Sequence, residues 1–271
     1  MPLSAEKTAS LRERFAALHE AGTFIMPNAW DVGSALVLQS LGFEAVATTS
    51  SGFAASLGRH DQNVTLAELA VHVADVCNAL DIPLSIDAEA GYSRDLDGLP
   101  RTVGQLAATG ASGISIEDYI PEKGLLGTDE ATERVGRLSA AAHSEGLVVT
   151  ARAENHLYGI DDLDDTIARL RSYRDAGADV VYAPGLTSID DIARVVSAAN
   201  APVNVLLLPD GPGVPELTEA GVRRISTGGA LGFAAYGALA AAARELLERG
   251  TATFTQGALT PAEREAAFGS P

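Results

Sequence analysis

Short apolar runs alternate with longer segments of helical periodicity along almost the whole chain. Near-continuous apolar runs of this kind are typical of parallel strands that are covered on both faces. They predict eight strands, at residues 24–28, 45–49, 83–87, 113–117, 147–152, 180–184, 203–208 and 222–227.

The segments between these runs predict eight helices, and several end on a glycine directly before the next strand. Glycine just past a helix end is the usual left-handed cap. The predicted helices are residues 34–41, 66–80, 102–109, 131–144, 162–176, 188–199, 216–220 and 234–249. Eight strand–helix units predict an α/β fold, a single (β/α)8 or TIM barrel. A doubly wound open sheet is the alternative, although no G-x-G-x-x-G motif follows the first strand.

No low-complexity linker divides the chain, so residues 1–271 are expected to form one domain. The end of the chain, residues 259–271, is polar and contains two prolines. These residues predict a loose C-terminal tail.

Acidic residues outnumber basic ones by 36 to 19, which gives a formal net charge of -17. Such a surface repels phosphate backbones and anionic lipids, so neither nucleic acid nor a membrane is expected as a partner. We expect no spanning helix, because no run of about 18 apolar residues stands out. We expect no signal peptide either, because residues 1–14 lack an apolar run. The expected location is the cytoplasm.

Three carboxylates stand at the ends of neighbouring predicted strands. Asp87 and Glu89 are two residues apart, which on a strand places them on one face, and Glu117 ends the next strand. Catalytic groups of a barrel lie at this end of the strands. Three crowded carboxylates need a cation, and oxygen ligands favour Mg2+ or Mn2+. The alternative is that these acids form ion pairs with bases such as Arg152.

Other candidate groups follow strands two and five. Arg152 is placed to hold a carboxylate or to stabilise developing negative charge. The alternative for Arg152 is a salt bridge to Glu117 or Glu154. Thr49, Ser50 and Ser51 form a turn of small residues whose hydroxyl and N–H groups can hold an anion, or which is an ordinary turn.

Several of these segments carry a wider pattern. The matching pieces are Pro27-Asn28-Ala29-Trp30-Asp31, Gly42-Phe43-Glu44-Ala45-Val46, Gly58-Arg59-His60-Asp61, Ser85-Ile86-Asp87-Ala88-Glu89-Ala90-Gly91-Tyr92, Gly113-Ile114-Ser115-Ile116-Glu117-Asp118 and Thr150-Ala151-Arg152. Over about residues 20–245 the chain resembles the isocitrate lyase/phosphoenolpyruvate mutase superfamily.

The resemblance implies a barrel whose last helix is often exchanged between subunits, in a homodimer or homotetramer. It implies chemistry on a C–C or P–C bond next to a small 2-oxo or 2-hydroxy carboxylate, with Mg2+ bound.

The resemblance also assigns roles to individual residues. Asp87 would bind the metal directly, and Glu89 and Glu117 would do so directly or through water. Asp61 would lie near metal and substrate. The substrate would be held by Thr49, Ser50, Ser51, Asp87, Arg152 and Asn204, with Arg152, Asp61 and Glu117 as catalytic residues.

The loop after strand four departs from the superfamily pattern. The lyases carry K-[KR]-C-G-H there, whereas residues 121–127 contain neither cysteine nor histidine. The mutases and phosphonopyruvate hydrolases tend to have a Lys and an Asn, of which only Lys123 is present. The sixth strand ends at Pro184 without the His or Glu often found there. The metal–enolate half of the site is therefore expected, and the acid–base half is replaced or missing.

Three functions fit this pattern. The first is a Mg2+-dependent lyase or decarboxylase that acts on a small 2-oxo acid through an enolate. The second is a P–C mutase or hydrolase that acts on a phosphonate such as phosphonopyruvate. The third is a non-catalytic barrel that binds a 2-oxo acid. The candidate proton donors are His60, His156, Tyr92 and Tyr158.

Overall fold

The computed structural model describes residues 3–269. Its strands are Phe24–Met26 (β1), Asn28–Ala29 (β2), Val46–Thr48 (β3), Leu84–Asp87 (β4), Gly113–Glu117 (β5), Tyr119–Ile120 (β6), Gly124–Leu125 (β7), Val148–Arg152 (β8), Val180–Tyr182 (β9), Val203–Leu206 (β10) and Arg224–Ser226 (β11). Each of the eight predicted strands is present within or at the edge of its predicted range. The strands β6 and β7 form a small antiparallel hairpin outside the main sheet.

The main sheet is a barrel that closes through its first strand. The pairing order is β1-β11-β10-β9-β8-β5-β4-β3-β2, and all of these pairs are parallel. β1 and β2 are two parts of one strand, separated at Pro27, which has no N–H to donate. β1 pairs with β11 and β2 pairs with β3. The predicted (β/α)8 barrel is therefore confirmed, and the open-sheet alternative is wrong.

All eight predicted helices are present, and three more accompany them. The helices are Ala5–Ala17 (α1), Val32–Ser40 (α2), Ser50–Ser56 (α3), Leu66–Ala79 (α4), Leu99–Ala107 (α5), Thr128–Ser144 (α6), Leu163–Asp175 (α7), Ile189–Ala199 (α8), Val214–Glu219 (α9), Ala230–Arg249 (α10) and Pro261–Phe268 (α11). The three additions are α1, α3 and α11. Capping boxes begin α2 at Asp31 and α4 at Thr65.

The prediction of a loose tail at residues 259–271 is wrong for residues 261–268, which form α11. The hydroxyl of Thr260 accepts from the N–H of Glu263, whose carboxylate accepts from the N–H of Thr260. This capping box and Pro261 at the first helical position start the helix, and α11 contacts α2. Ser270 and Pro271 lie outside the described residues.

The lower end of the barrel is closed by an apolar cluster. Phe15 of α1 is fully buried there, and a Cβ at Gly113 would lie 2.5 Å from its ring. The other members of the cluster are Phe24, Met26, Ala45, Ala47, Val148 and Val180. Most of these residues lie near the amino-terminal ends of their strands, so the opposite end of the barrel is the one that opens to solvent.

Helix α10 is long and apolar enough to cross a membrane, by length and composition alone. This finding corrects the expectation that the chain has no such stretch, because α10 combines apolar residues with few charges before Arg244. Within the described residues no other helix meets the criterion. The apolar side chains of Phe233, Leu239 and Leu247 on α10 are exposed.

Candidate active site

A cavity of about 250 Å³ opens at the carboxyl ends of the barrel strands. It is smaller than a typical drug-sized pocket, so it suits a small molecule. The residues that border it include Thr49, Ser50, Ser51, Asp61, Asp87, Arg152 and Asn204, all of which the sequence predicted. Glu89 and Glu117 do not border this cavity directly, although both contact groups around its mouth.

Asp87, the last residue of β4, lies at the centre of the polar contacts around the mouth. Its Oδ1 accepts from Arg152 Nη1 at 3.0 Å, and its Oδ2 accepts from the backbone N–H of Ser50 at 3.1 Å. The hydroxyl of Ser115 lies 3.4 Å from Oδ1. Strands β4, β5 and β8 and the start of α3 thus all meet at one carboxylate.

Arg152 is surrounded by three carboxylates. Its Nε and Nη2 donate to the two carboxylate oxygens of Glu154, at 2.7 and 3.2 Å, and its Nη2 lies 3.4 Å from Glu117 Oε2. Together with the contact to Asp87, these contacts confirm the salt-bridge alternative for Arg152 and show that it holds for both acids. Burial alone would lower the pKa of Arg152, but Glu154, Asp87 and Glu117 together raise it well above its ordinary value.

Glu117, at the end of β5, is buried, and its Oε1 accepts from Gln62 Nε2 at 2.7 Å. Burial raises the pKa of Glu117 well above its ordinary value, although the charge of Arg152 lowers it. Burial also raises the pKa of Glu154. Gln62 was not among the predicted site residues, and its position next to Asp61 in the sequence is the signal that could have indicated it.

Glu89 lies in the loop after β4, and not on the strand as was predicted. β4 ends at Asp87, and Glu89 lies beyond it with a left-handed φ of 46°. The inference that both acids share a strand face is therefore wrong, because the strand does not continue. Glu89 Oε1 accepts from Tyr92 Oη at 2.9 Å. Burial raises the pKa of Glu89 to about 7, and the charges of Asp87 and Asp61 act in the same direction.

Asp61 borders the cavity together with Thr49, the N-cap of α3, and with Ser50 and Ser51, which begin that helix. Burial raises the pKa of Asp61, while a hydrogen bond from the hydroxyl of Ser50 lowers it. Thr49 is the N-cap of α3, and its hydroxyl accepts from the N–H of Gly52 at 3.3 Å. Ser51 is the second residue of α3, so its N–H has no acceptor within the helix and can donate to a bound anion.

Asn204 is buried on β10 and contacts its neighbours on β11. Its Nδ2 donates to Ser226 Oγ at 2.9 Å, and its Oδ1 accepts from Arg224 Nε at 2.9 Å. Its substrate contact stays a prediction.

Among the described residues, the predicted metal ligands Asp87, Glu89 and Glu117 are not found together as a metal site. Within residues 3–269, no three His, Cys, Asp or Glu side chains are grouped as a metal site requires. The donor chemistry nevertheless fits a hard divalent cation, because the charge of Asp87 raises the pKa of both Asp61 and Glu89, and the charge of Asp61 also raises the pKa of Glu89. A cation among them would offset this repulsion. The ligand set Asp87, Glu89 and Glu117 stays a prediction.

The predicted proton donors lie in unlike surroundings. The ring of Tyr158 stacks on Tyr119, with centroids 3.6 Å apart, at the mouth beside the β6–β7 hairpin. The ring nitrogens of His156 contact Thr166 Oγ1 and Asp161 Oδ1, each at 3.1 Å, which favours a structural role. His60 is exposed.

The barrel, its small cavity and the acids at the strand ends define the chain as a member of an enzyme class with its site at the barrel mouth. The chain belongs to the phosphoenolpyruvate phosphomutase family, whose model matches residues 15–247. This family lies in the isocitrate lyase/phosphoenolpyruvate mutase superfamily, and relatives of the chain include 2-methylisocitrate lyases and oxaloacetate decarboxylases.

Three relatives show how far the likeness extends. An uncharacterized protein of Mycobacterium tuberculosis is 36% identical over 232 residues, which are 85% of this chain and 87% of the other. A candidate lyase/mutase of Burkholderia cenocepacia superimposes with a TM-score of 0.93 at 43% identity, covering 98% of each chain. An oxaloacetate acetylhydrolase, solved with its product oxalate, has a TM-score of 0.85 at 26% identity and covers 95% of this chain and 94% of the other.

Proposed function

We propose that the protein is a Mg2+-dependent lyase or decarboxylase that acts on a small 2-oxo or 2-hydroxy acid. The bond that breaks is a C–C bond next to the oxo or hydroxy carboxylate, and an enolate forms. The observation that carries the proposal is the position of Asp87, which borders a small cavity and receives hydrogen bonds from three sides. Relatives that cleave such bonds, the 2-methylisocitrate lyases and oxaloacetate decarboxylases, support it.

In this proposal Asp87 binds the cation, with Glu89, Glu117 and Asp61 near it. Mg2+, with Mn2+ as an alternative, would supply positive charge beside the substrate oxygen atoms on which negative charge develops. Arg152 fixes the orientation of the Asp87 carboxylate through its 3.0 Å contact. The N–H of Ser51 and the hydroxyls of Thr49 and Ser50 hold the substrate carboxylate.

The chain's own groups also limit the acid–base chemistry. Burial raises the pKa of Tyr92, and its hydroxyl donates to Glu89, so the phenol keeps its proton at neutral pH. The mouth is open to solvent beside Tyr158, whose side chain is exposed. An enolate formed by decarboxylation can therefore take its proton from water, which fits a site without the cysteine of the lyase loop.

P–C chemistry is the second candidate, and one contact argues against it. Lys123, the loop lysine shared with the mutases, donates to Glu130 Oε1 at 2.7 Å on the outside of the barrel. A non-catalytic barrel that binds a 2-oxo acid is the third candidate, and the turnover assay below separates it from the first.

We also propose that the protein is a cytoplasmic homodimer or homotetramer, with no nucleic acid or membrane as partner. The apolar side chains exposed on α10 support self-association, because apolar patches of this kind mark contact surfaces. An exchange of the C-terminal helix between subunits would use the same part of the chain.

Calorimetry on metal-stripped protein tests the function. Mg2+ is titrated first, followed by oxalate, pyruvate, 2-oxoglutarate, oxaloacetate and phosphonopyruvate, and each ligand that binds is then assayed for turnover. We expect metal-dependent binding of a 2-oxo acid and its cleavage. Ligand binding that is indifferent to metal would contradict the proposal, and turnover of phosphonopyruvate alone would favour the second candidate.

A further inference from the structure

A second guanidinium, that of Arg224 on β11, borders the same cavity from below. Arg224 is 3% exposed, and the side chains that accept hydrogen bonds from it are not carboxylates. Its Nε donates to Asn204 Oδ1 at 2.9 Å and its Nη2 to Thr150 Oγ1 at 2.8 Å. Its Nη1 lies 3.3 Å from His19 Nε2. Among the described residues no carboxylate forms an ion pair with it.

The charge of Arg224 is retained although it is buried. Burial lowers the pKa of Arg224 to about 10, so the group is a cation at neutral pH. Burial lowers the pKa of His19 to about 3, so this neighbour is neutral. A guanidinium has five N–H donors, and the three contacts leave two of them without an acceptor. A buried charge without a counterion is costly, so a purely structural position would favour an apolar residue.

The layer around Arg224 differs in charge from the layer above it. Ser85, Ser115 and Thr150 lie two residues before Asp87, Glu117 and Arg152 on the same strands, so they face the same way one step deeper. All three border the cavity. The upper layer therefore holds three carboxylates around Arg152, whereas the lower layer holds hydroxyl groups and an arginine, Arg224, that has no carboxylate partner among the described residues.

We propose that Arg224 and the hydroxyl groups around it form an anion subsite on the cavity floor, which binds the far carboxylate of a small dicarboxylic acid. The orientation, with the oxo acid end beside Asp87, rests on the proposed function, whereas anion binding by Arg224 does not. The planar guanidinium suits a carboxylate, and the acids around Arg152 repel a second anion from the upper layer. The subsite selects diacids over monoacids.

The test measures succinate binding to the full chain by calorimetry, with and without Mg2+, and Mg2+-dependent pyruvate binding beside it. Arg224→Gln is expected to weaken succinate binding by about 100-fold, because a charge-assisted bond is lost. Pyruvate, which needs only the upper layer, should change by less than about threefold. Arg223→Gln is the matched control: the adjacent side chain bonds Gly22 on the outside and should leave both affinities unchanged.

Arg224→Lys is a second variant that retains the positive charge. It provides the test if Arg224→Gln does not fold. We expect it to weaken succinate binding by about tenfold, since the fork geometry is lost but the charge stays. The subsite would be overturned if a folded Arg224 variant bound succinate as tightly as the wild type does. It would also be overturned if the wild-type protein bound pyruvate with Mg2+ but did not bind succinate. Arg224-dependent succinate binding without any metal-dependent pyruvate binding would support the subsite and contradict the proposed function instead.

Discussion

At the scale of single residues, one guanidinium at the mouth of the barrel, that of Arg152, forms ion pairs with three carboxylates. Arg152 contacts Asp87, Glu117 and Glu154, and all four side chains are largely buried. A buried carboxylate without a partner is unstable as an anion, so the arrangement depends on this one guanidinium.

Replacing Arg152 with Met should lower the free energy of unfolding by about 3–5 kcal/mol at pH 7.5. Burial already raises the pKa of Glu117 and Glu154, and removing the cation raises it further. The folded state then binds more protons than the unfolded state above the ordinary carboxyl pKa, so the loss grows as pH rises through that range. Urea unfolding at pH 5 and pH 7.5 measures this loss. The exposed Arg137→Met variant is the control, and an equal loss at both pH values would contradict the explanation.

Replacing Asp87 with Asn should abolish Mg2+ binding and reduce turnover by at least about 100-fold. Mutation of a residue that only hydrogen-bonds to a metal ligand already lowers metal affinity or activity by about 10- to 100-fold, and Asp87 is proposed to be a ligand itself. The shape of the side chain and its place beside Ser50 are retained, so the fold should persist. Calorimetry with Mg2+ and a turnover assay provide the measurement, with Asp97→Asn on the exposed surface as the control. Activity at low metal in the Asp87 variant would reject the mechanism.

Residues at strand ends were predictable from the strand pattern, whereas Arg224, deeper in the barrel, was not; its neighbour Asn204 was named through the family resemblance. Asp87, Glu117 and Arg152 were found because they end their strands and face the mouth. Arg223 and Arg224 are adjacent within the predicted strand 222–227, and from the sequence either could face inward. Both faces of a barrel strand are covered, so the apolar residues around them do not show which one does.

At the scale of elements, helix α1 and the turn after it close the bottom of the barrel through Phe15 and His19. Nδ1 of His19 contacts the carbonyl of Phe15 at 2.8 Å, and Nε2 faces Arg224. An imidazole between a carbonyl and a guanidinium is suited to the neutral form, with Nδ1 as donor and Nε2 as acceptor.

Acid should destabilise the protein through this imidazole. Burial and the charge of Arg224 lower the pKa of His19 to about 3 in the folded state. The unfolded state therefore binds the proton first, and stability is lost as pH falls from about 6.5 toward 3, by up to about 4 kcal/mol at pH 3.5. His19→Gln should lose less stability over this range than the wild type does, as followed by thermal unfolding. His60→Gln, on an exposed loop, should behave as the wild type; an identical acid response in His19→Gln would refute the assignment.

Element prediction succeeded for the repeated strand–helix units and missed the helices outside them, α1, α3 and α11, of which α3 and α11 are short. The segment that forms α3, Ser50–Ser56, consists largely of serine, glycine and alanine, and resembles a turn in the sequence. The two prolines near the end of the chain suggested a loose tail, but Pro261 follows the cap residue Thr260 and begins α11. Short helices of this kind are fixed by capping and by contact with neighbouring elements rather than by periodicity.

At the scale of the whole molecule, helix α10 presents an apolar face that the single chain does not cover. Leu239 and Leu246 are seven residues apart, and therefore lie on the same side of the helix, and both are exposed. We expect this face to lie at a subunit contact.

The double variant Leu239→Glu, Leu246→Glu should shift the protein toward the monomer, because like charges replace apolar contacts across the interface. Analytical ultracentrifugation over a range of concentrations measures the mass. Val71→Glu, an exposed apolar residue on α4, is the control and should leave the mass unchanged. A wild-type monomer would contradict the proposal, and binding of the wild type to neutral lipid vesicles would favour a membrane for this face.

Closure of the ring through β1 and β11 has a consequence for the synthesis of the chain. Met26 pairs with Ser226, so this edge of β1 stays unpaired until β11 is translated 200 residues later. At about 5–20 residues per second this interval is about 10–40 seconds. During that time the edge of β1 and the apolar surface around Phe24 lack their final cover, so nascent chains should depend on chaperones until the last strand leaves the ribosome.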